Sequence, residues 1–135
     1  MLRTAIEALR RRLVDLDVVL IDATGRDHPR RAGLALQIGA ILDLPTVGVT
    51  LRALVAEGPE PEDAAGATSE LDIDGEVVAA WFRPRHGVRA VIVHAAWRTD
   101  VPTALEVVRR ATTRYRTPEP LRLARMVARE ARTHA

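Results

Sequence analysis

The stretch Asp17-Val18-Val19-Leu20-Ile21-Asp22-Ala23-Thr24-Gly25-Arg26-Asp27-His28-Pro29-Arg30-Arg31-Ala32-Gly33 decides the fold. Val18 to Ile21 are strand-forming and run into the carboxylate of Asp22, a glycine-bearing turn and a cluster of charge, after which a helical pattern begins. In an open α/β sheet, ligands sit in the crevice outside the carboxyl ends of the strands. Asp22, Asp27, His28, Arg30 and Arg31 are therefore placed where chemistry can occur.

Downstream, Leu34, Ile38, Ile41 and Leu42 form an apolar stripe, while Ala32, Ala35 and Gly39 leave a small-residue face for close packing on a sheet. Pro45 stops that helix, and Thr46 to Thr50 reads as a second short strand. A strand, helix, strand order of this length implies a crossover and parallel pairing. Upstream, Leu2, Ile6, Leu9 and Leu13 fall on one stripe of an amphipathic helix.

The segment from Gly58 to Ser69 is rich in Pro, Gly and acid and reads as a mobile loop. Leu71 to Ile73 and Val77 to Phe82 flank Asp74-Gly75, a pair suited to a type I′ turn, whose two central positions need positive φ. Val88 to His94 is a further strand. Asp100 caps a helix that starts near Val101, with Pro102 tolerated in its first turn; Pro118 and Pro120 break it. The last helix, from about Leu121 to Arg132, carries Leu123, Met126 and Val127 on one side and Arg122, Arg125, Arg129 and Arg132 near another.

Composition narrows the class. A chain of 135 residues with 47% apolar and 28% charged residues has the make-up of one ordinary globular domain. Its 20 basic residues are all Arg, and the net charge of +2 argues only weakly for nucleic acid. The chain has no Cys, which excludes disulfides and thiol chemistry. The first residues contain no apolar core of signal-peptide length and no run approaches a membrane span, so the expected setting is cytoplasmic, with no membrane partner.

The run from Asp22 through His28-Pro29-Arg30-Arg31-Ala32-Gly33, followed by Asp43-Leu44-Pro45-Thr46-Val47-Gly48-Val49, resembles the central segment of the endonuclease V family. Thr117-Pro118-Glu119-Pro120-Leu121-Arg122-Leu123-Ala124 is similar to the family's closing P-E-P-T-R-x-A segment. The resemblance runs from residue 4 onward and covers the later part of the family's domain. It implies an α/β fold with a ribonuclease H-like mixed sheet flanked by helices, truncated at the N-terminus. Residues 1–135 are then a single domain, incomplete relative to the family. The implied chemistry is Mg²⁺-dependent hydrolysis beside deaminated purines such as hypoxanthine, in DNA repair or on RNA.

Within that resemblance Asp22 matches a metal-binding aspartate, and Mg²⁺ needs several hard oxygen ligands. The family's other aspartate and its glutamate, in a segment like P-Y-I-P-G-x-x-x-F-R-E, precede the matched part, so Asp22 is a catalytic and metal position only if missing carboxylates are supplied. Other positions depart from the pattern. D-G-x-G is Asp22-Ala23-Thr24-Gly25 here, the lysine of G-V-A-K falls at Leu51, the G-H pair falls at Ala96-Trp97, and the late His or Asp falls at Arg125.

The residues also carry plainer readings. His28 is a candidate catalytic group, or it hydrogen-bonds the turn. Gly25, His28, Arg30, Arg31 and Gly33 form a candidate nucleic-acid or anion site, because Arg at a helix start opposes the dipole and suggests an anion contact. His86 and His94 lack metal-ligand spacing and read as structural. The Arg stripe of the last helix reads as a solvated or Glu-paired face, and Trp81-Phe82 is too apolar in context to stack bases. Three functions stay open: a metal-dependent nuclease completed by another chain or by a full-length parent of which this is a fragment, a catalytically silent module (a pseudoenzyme) binding nucleic acid or a partner, and a pocket for a small anion. The strand Val18 to Asp22 is left with an unpaired edge, which predicts a homodimer or a partner chain. The alternative is a rearranged hairpin, Leu71 to Phe82, over that edge.

Overall fold

The computed structural model describes Thr4 and residues 17–133. The helix expected from Leu2 to Leu13 therefore lies outside the described residues. Five strands form one sheet: β1 (Val19–Ile21), β2 (Thr46–Thr50), β3 (Thr68–Ile73), β4 (Glu76–Phe82) and β5 (Val91–Ala95). Among the described residues, three helices flank it: α1 (Leu34–Leu42), α2 (Val101–Ala111) and α3 (Glu119–Thr133).

The strand order is β1-β2-β5-β4-β3. β1 and β2 are parallel, with Val19 opposite Thr46 and Ile21 opposite Gly48, as the strand, helix, strand pattern requires. Every other pairing is antiparallel. β2 is buried from Thr46 to Val49, which fits a strand with structure on both faces. The Leu71–Phe82 hairpin pairs with β5, at the opposite end of the sheet from β1, and so does not cover β1. Among the described residues, β1 is an edge strand.

Alternation along each strand sorts side chains to two faces. One face joins Val47, Val49, Val91, Val93 and Phe82 to Ala104 and Val108 of α2 and Leu121 of α3, with Val18 and Leu20 packed alongside. Each fully buried Val or Leu contributes roughly 1.5–3 kcal/mol. The opposite face of β1 sets Val19 and Ile21 against Ile38, Leu42 and Leu44. A third cluster joins Ala56, Leu71, Val78, Ala79 and Ile92.

Local chemistry explains the turns. Asp74 and Gly75 have φ of 51° and 87°, the two positive values that a type I′ hairpin demands. Asp100 accepts the Thr103 amide at 2.8 Å, capping α2 with Pro102 in its first turn. Hydrogen bonding from the Thr103 side chain, and then from its amide, holds the Asp100 carboxyl below its usual range. α1 ends with Asp43 in the left-handed conformation before Pro45.

Two expectations need correction, and the apolar side expected of the last helix lies in solvent. Pro120 lies inside the first turn of α3, where a missing amide proton costs nothing, so α3 begins at Glu119. Leu123, Met126 and Val127 are exposed, because α3 reaches the core only through Leu121. The acidic loop before β3 is tied down: the Arg83 guanidinium donates to the carbonyls of Pro61, Glu62 and Val88 at 3.1, 3.0 and 2.8 Å.

Candidate functional site

Asp22 follows β1 and faces α3. Its Oδ2 accepts Arg125 Nη2 at 2.7 Å and Arg125 Nε at 3.1 Å. Arg125 Nη1 donates to Thr117 Oγ1 at 3.3 Å, so all three guanidinium nitrogens are engaged. One turn earlier on α3, Arg122 forms a bidentate pair with Glu119 at 2.8 and 3.1 Å and stacks 4.2 Å from the Tyr115 ring centroid. Arg129 and Arg132 are exposed.

After Asp22 the chain folds over the sheet toward the β3–β4 hairpin. Gly25 lies against β5, where a Cβ would collide with the Ala95 carbonyl. Gly33 N–H donates to the Gly25 carbonyl at 2.8 Å, and a Cβ on Gly33 would collide with Thr24. Both glycines thus serve close packing within the chain.

His28 organises the exposed turn. Its Nδ1 accepts the Arg30 amide at 3.0 Å and its carbonyl accepts the Arg31 amide at 2.9 Å, with Arg31 held at φ 58°. An accepting Nδ1 places the proton of a neutral imidazole on Nε2, where it can donate to an incoming oxygen. Arg31 points toward Asp74 at 3.9 Å and Arg26 toward Glu76 at 4.0 Å, while Arg30 is exposed. The turn therefore faces the hairpin, and Asp22 faces α3. Among the described residues, no hydrogen bond or ion pair joins the two groups.

Asp27 has a different position from the one its sequence suggested. It is fully buried, and its carboxylate accepts the amides of Leu54, Val55 and Ala56, each at 2.7 Å. Burial acts to raise its pKa, yet these three donors, helped by nearby His94, hold it below the usual range. Asp27 is an anchor for the loop after β2, not a group open to substrate.

His94 sits on β5, fully buried, with Nε2 2.7 Å from Thr50 Oγ1. The Thr50 hydroxyl donates its proton to the Arg52 carbonyl at 3.1 Å, so His94 is the donor to Thr50. Among the described residues, its Nδ1 has no hydrogen-bond partner. Burial lowers the imidazole pKa to about 4, against the opposing pull of Asp27, and keeps the ring neutral. His86, by contrast, is exposed beside Asp63 at 3.5 Å.

A family model for endonuclease V matches residues 1–126. The chain belongs to the endonuclease V family. Endonuclease V of Thermus thermophilus is 42% identical over 114 residues, which cover 83% of this chain and 50% of that protein. The solved structure of endonuclease V from Bacillus subtilis superposes with a TM-score of 0.87 at 26% identity, covering 98% of this chain and 58% of that one. Endonuclease V from Ciona intestinalis, solved in complex with a 24mer DNA containing an inosine followed by a ribo-adenosine, matches with a TM-score of 0.78 at 25% identity, covering 98% and 62%. The mixed sheet is thus the ribonuclease H-like sheet of endonuclease V structures. The chain spans about half the length of the curated relatives it matches.

Within the endonuclease V family a divalent cation is implied, but this donor set does not suit one. Asp22 is already neutralised by Arg125, and among the described residues no three His, Cys, Asp or Glu side chains form a group able to hold a metal ion. The resemblance read from the sequence leads to the expectation that Arg125 stands at a late His or Asp position. What it cannot supply is the contact, which spans 103 residues of chain.

Proposed function

We propose that this chain is an endonuclease V-type module that engages nucleic acid without cleaving it on its own. The observation that carries this reading is the Asp22–Arg125 pair: the one carboxylate matching the family's acidic set is bound by a guanidinium at 2.7 Å. Phosphodiester hydrolysis needs charge stabilised on both the attacking and the leaving oxygens, for which such sites use a constellation of cation and carboxylates. Hydrolysis beside a deaminated purine in DNA or RNA, with Mg²⁺, requires carboxylates from outside this set.

Two cationic features support engagement of a polyanion. Arg125 retains N–H donors beyond the three in use. The turn offers the exposed Arg30, the partly buried Arg31 and the Nε2–H of His28, groups suited to phosphate oxygens. Residues 1–135 act as one unit in this reading, in the cytoplasm. No helix among the described residues is long and apolar enough to cross a membrane.

Fluorescence anisotropy with labelled oligonucleotides, with and without one deoxyinosine, tests it alongside a nicking assay. Salt-sensitive binding without nicking is the expected result. Absence of binding at low salt would remove the nucleic-acid reading.

A further inference from the structure

We infer that Arg125 takes the place of the metal ion at Asp22, so that the site excludes divalent cations and meets a phosphodiester oxygen with its guanidinium. Two nitrogens of Arg125 converge on a single carboxylate oxygen, and the third is braced by Thr117. A hydrated cation approaching Asp22 has to displace this contact, and among the described residues no group of three His, Cys, Asp or Glu side chains stands there to hold it in compensation. Mg²⁺ sheds water reluctantly and is seldom held by one protein carboxylate.

The same geometry leaves the guanidinium able to bind. Arg carries five N–H donors in a planar fork, three of which are accounted for by Asp22 and Thr117. The remaining donors lie on Nη1 and Nη2, on a side chain that is 38% exposed. A phosphodiester oxygen fits them, since phosphate and guanidinium match in charge and geometry. Asp22 then has a reversed sign of effect. In a metal site the carboxylate recruits the cation that binds phosphate; here it competes with phosphate for Arg125.

The ligand in this inference rests on the nucleic-acid reading above, whereas the exclusion of cations does not, and the experiment separates them. The first arm titrates the whole chain with Mn²⁺ and reads free Mn²⁺ by electron paramagnetic resonance, beside Asp22→Asn. The expected result is no Mn²⁺ binding that depends on Asp22; saturable binding lost in Asp22→Asn overturns the inference.

The second arm measures anisotropy of a single-stranded oligonucleotide in EDTA and in Mg²⁺ at matched ionic strength. Binding is expected to be equal in the two, weakened about tenfold by Arg125→Gln, preserved by Arg125→Lys and tightened by Asp22→Asn. Binding that needs Mg²⁺ and is abolished by Asp22→Asn overturns it, as does binding indifferent to Arg125→Gln in a variant whose thermal melt is unchanged. If no oligonucleotide binds at all, the nucleic-acid reading fails, and the Mn²⁺ titration alone decides whether Arg125 holds the cation position.

Discussion

Arg125 and Asp22 lie 103 residues apart in the chain and meet through two N–H donors on one carboxylate oxygen, at 2.7 and 3.1 Å. This contact ties the beginning of the sheet to the last helix. It also places a guanidinium against the carboxylate at the end of β1.

Incubated with inosine-containing DNA or RNA and Mg²⁺ or Mn²⁺, the isolated chain is expected to leave the strand intact. A gel-resolved nicking assay over hours checks this. Metal-dependent nicking that disappears in Asp22→Ala would overturn it.

Removing both Arg30 and Arg31 is expected to weaken oligonucleotide binding by several-fold and flatten its salt dependence, since each phosphate contact releases a counterion. Arg30 should account for more of the loss, because Arg31 is drawn toward Asp74 at 3.9 Å. Equal binding by the double Ala variant at low salt would move the anion site away from this turn.

Stability should fall with pH in a window set by His94. The unfolded chain takes up this proton near 6.5, and the folded ring not until about 4, so the contribution is full above pH 6.5 and is lost as pH falls toward 4. The gap corresponds to roughly 3 kcal/mol. Asp27, whose carboxyl is held below its usual 3.8, adds a further loss at still lower pH as it protonates. Denaturant melts between pH 7.5 and 4.5 check this, and His94→Gln should flatten the slope above pH 4 whatever it does to absolute stability.

Asp27→Ala is expected to destabilise the fold by about 3 kcal/mol, because it strands three amides that now share one buried carboxylate. Urea unfolding gives the number. A loss below about 1 kcal/mol would mean that water replaces the carboxylate without cost.

The edge of β1 predicts association. No strand pairs with its outer side among the described residues, and α3, which packs beside it, exposes Leu123, Met126 and Val127. A second copy of the chain covering both would bury on the order of 1,600 Å² in total. Sedimentation equilibrium should then exceed the 14.8 kDa of one chain. A clean single-chain mass with a melt independent of concentration would sink the dimer.

Local signals made much of the fold legible. β2 spans Thr46–Thr50 and α2 begins after Asp100, as read from a short apolar run behind Pro45 and from an acid before a Pro-bearing first turn. Asp74-Gly75 named its own turn. The site was harder, because its contacts are non-local. Asp27 looked like a turn carboxylate until the loop at Leu54 to Ala56 folded onto it, and nothing in its neighbours in sequence signals that burial. Gly25 and Gly33 looked like backbone openings for a ligand, yet each is filled by another part of the chain. β3 starts at Thr68, inside a segment whose Pro, Gly and acid content conceals a strand that pairing with β4 induces.

The Asp27 anchor has a consequence for amide hydrogen exchange. Leu54 and Val55 turn their side chains to water, and neither belongs to a strand. Their N–H groups, with that of Ala56, nevertheless end on a carboxylate that is itself fully buried. Solvent deuterium can exchange with them only when these bonds to the buried carboxylate break. This loop should therefore exchange as slowly as the strands, with the outward look of a surface segment and the kinetics of an interior one.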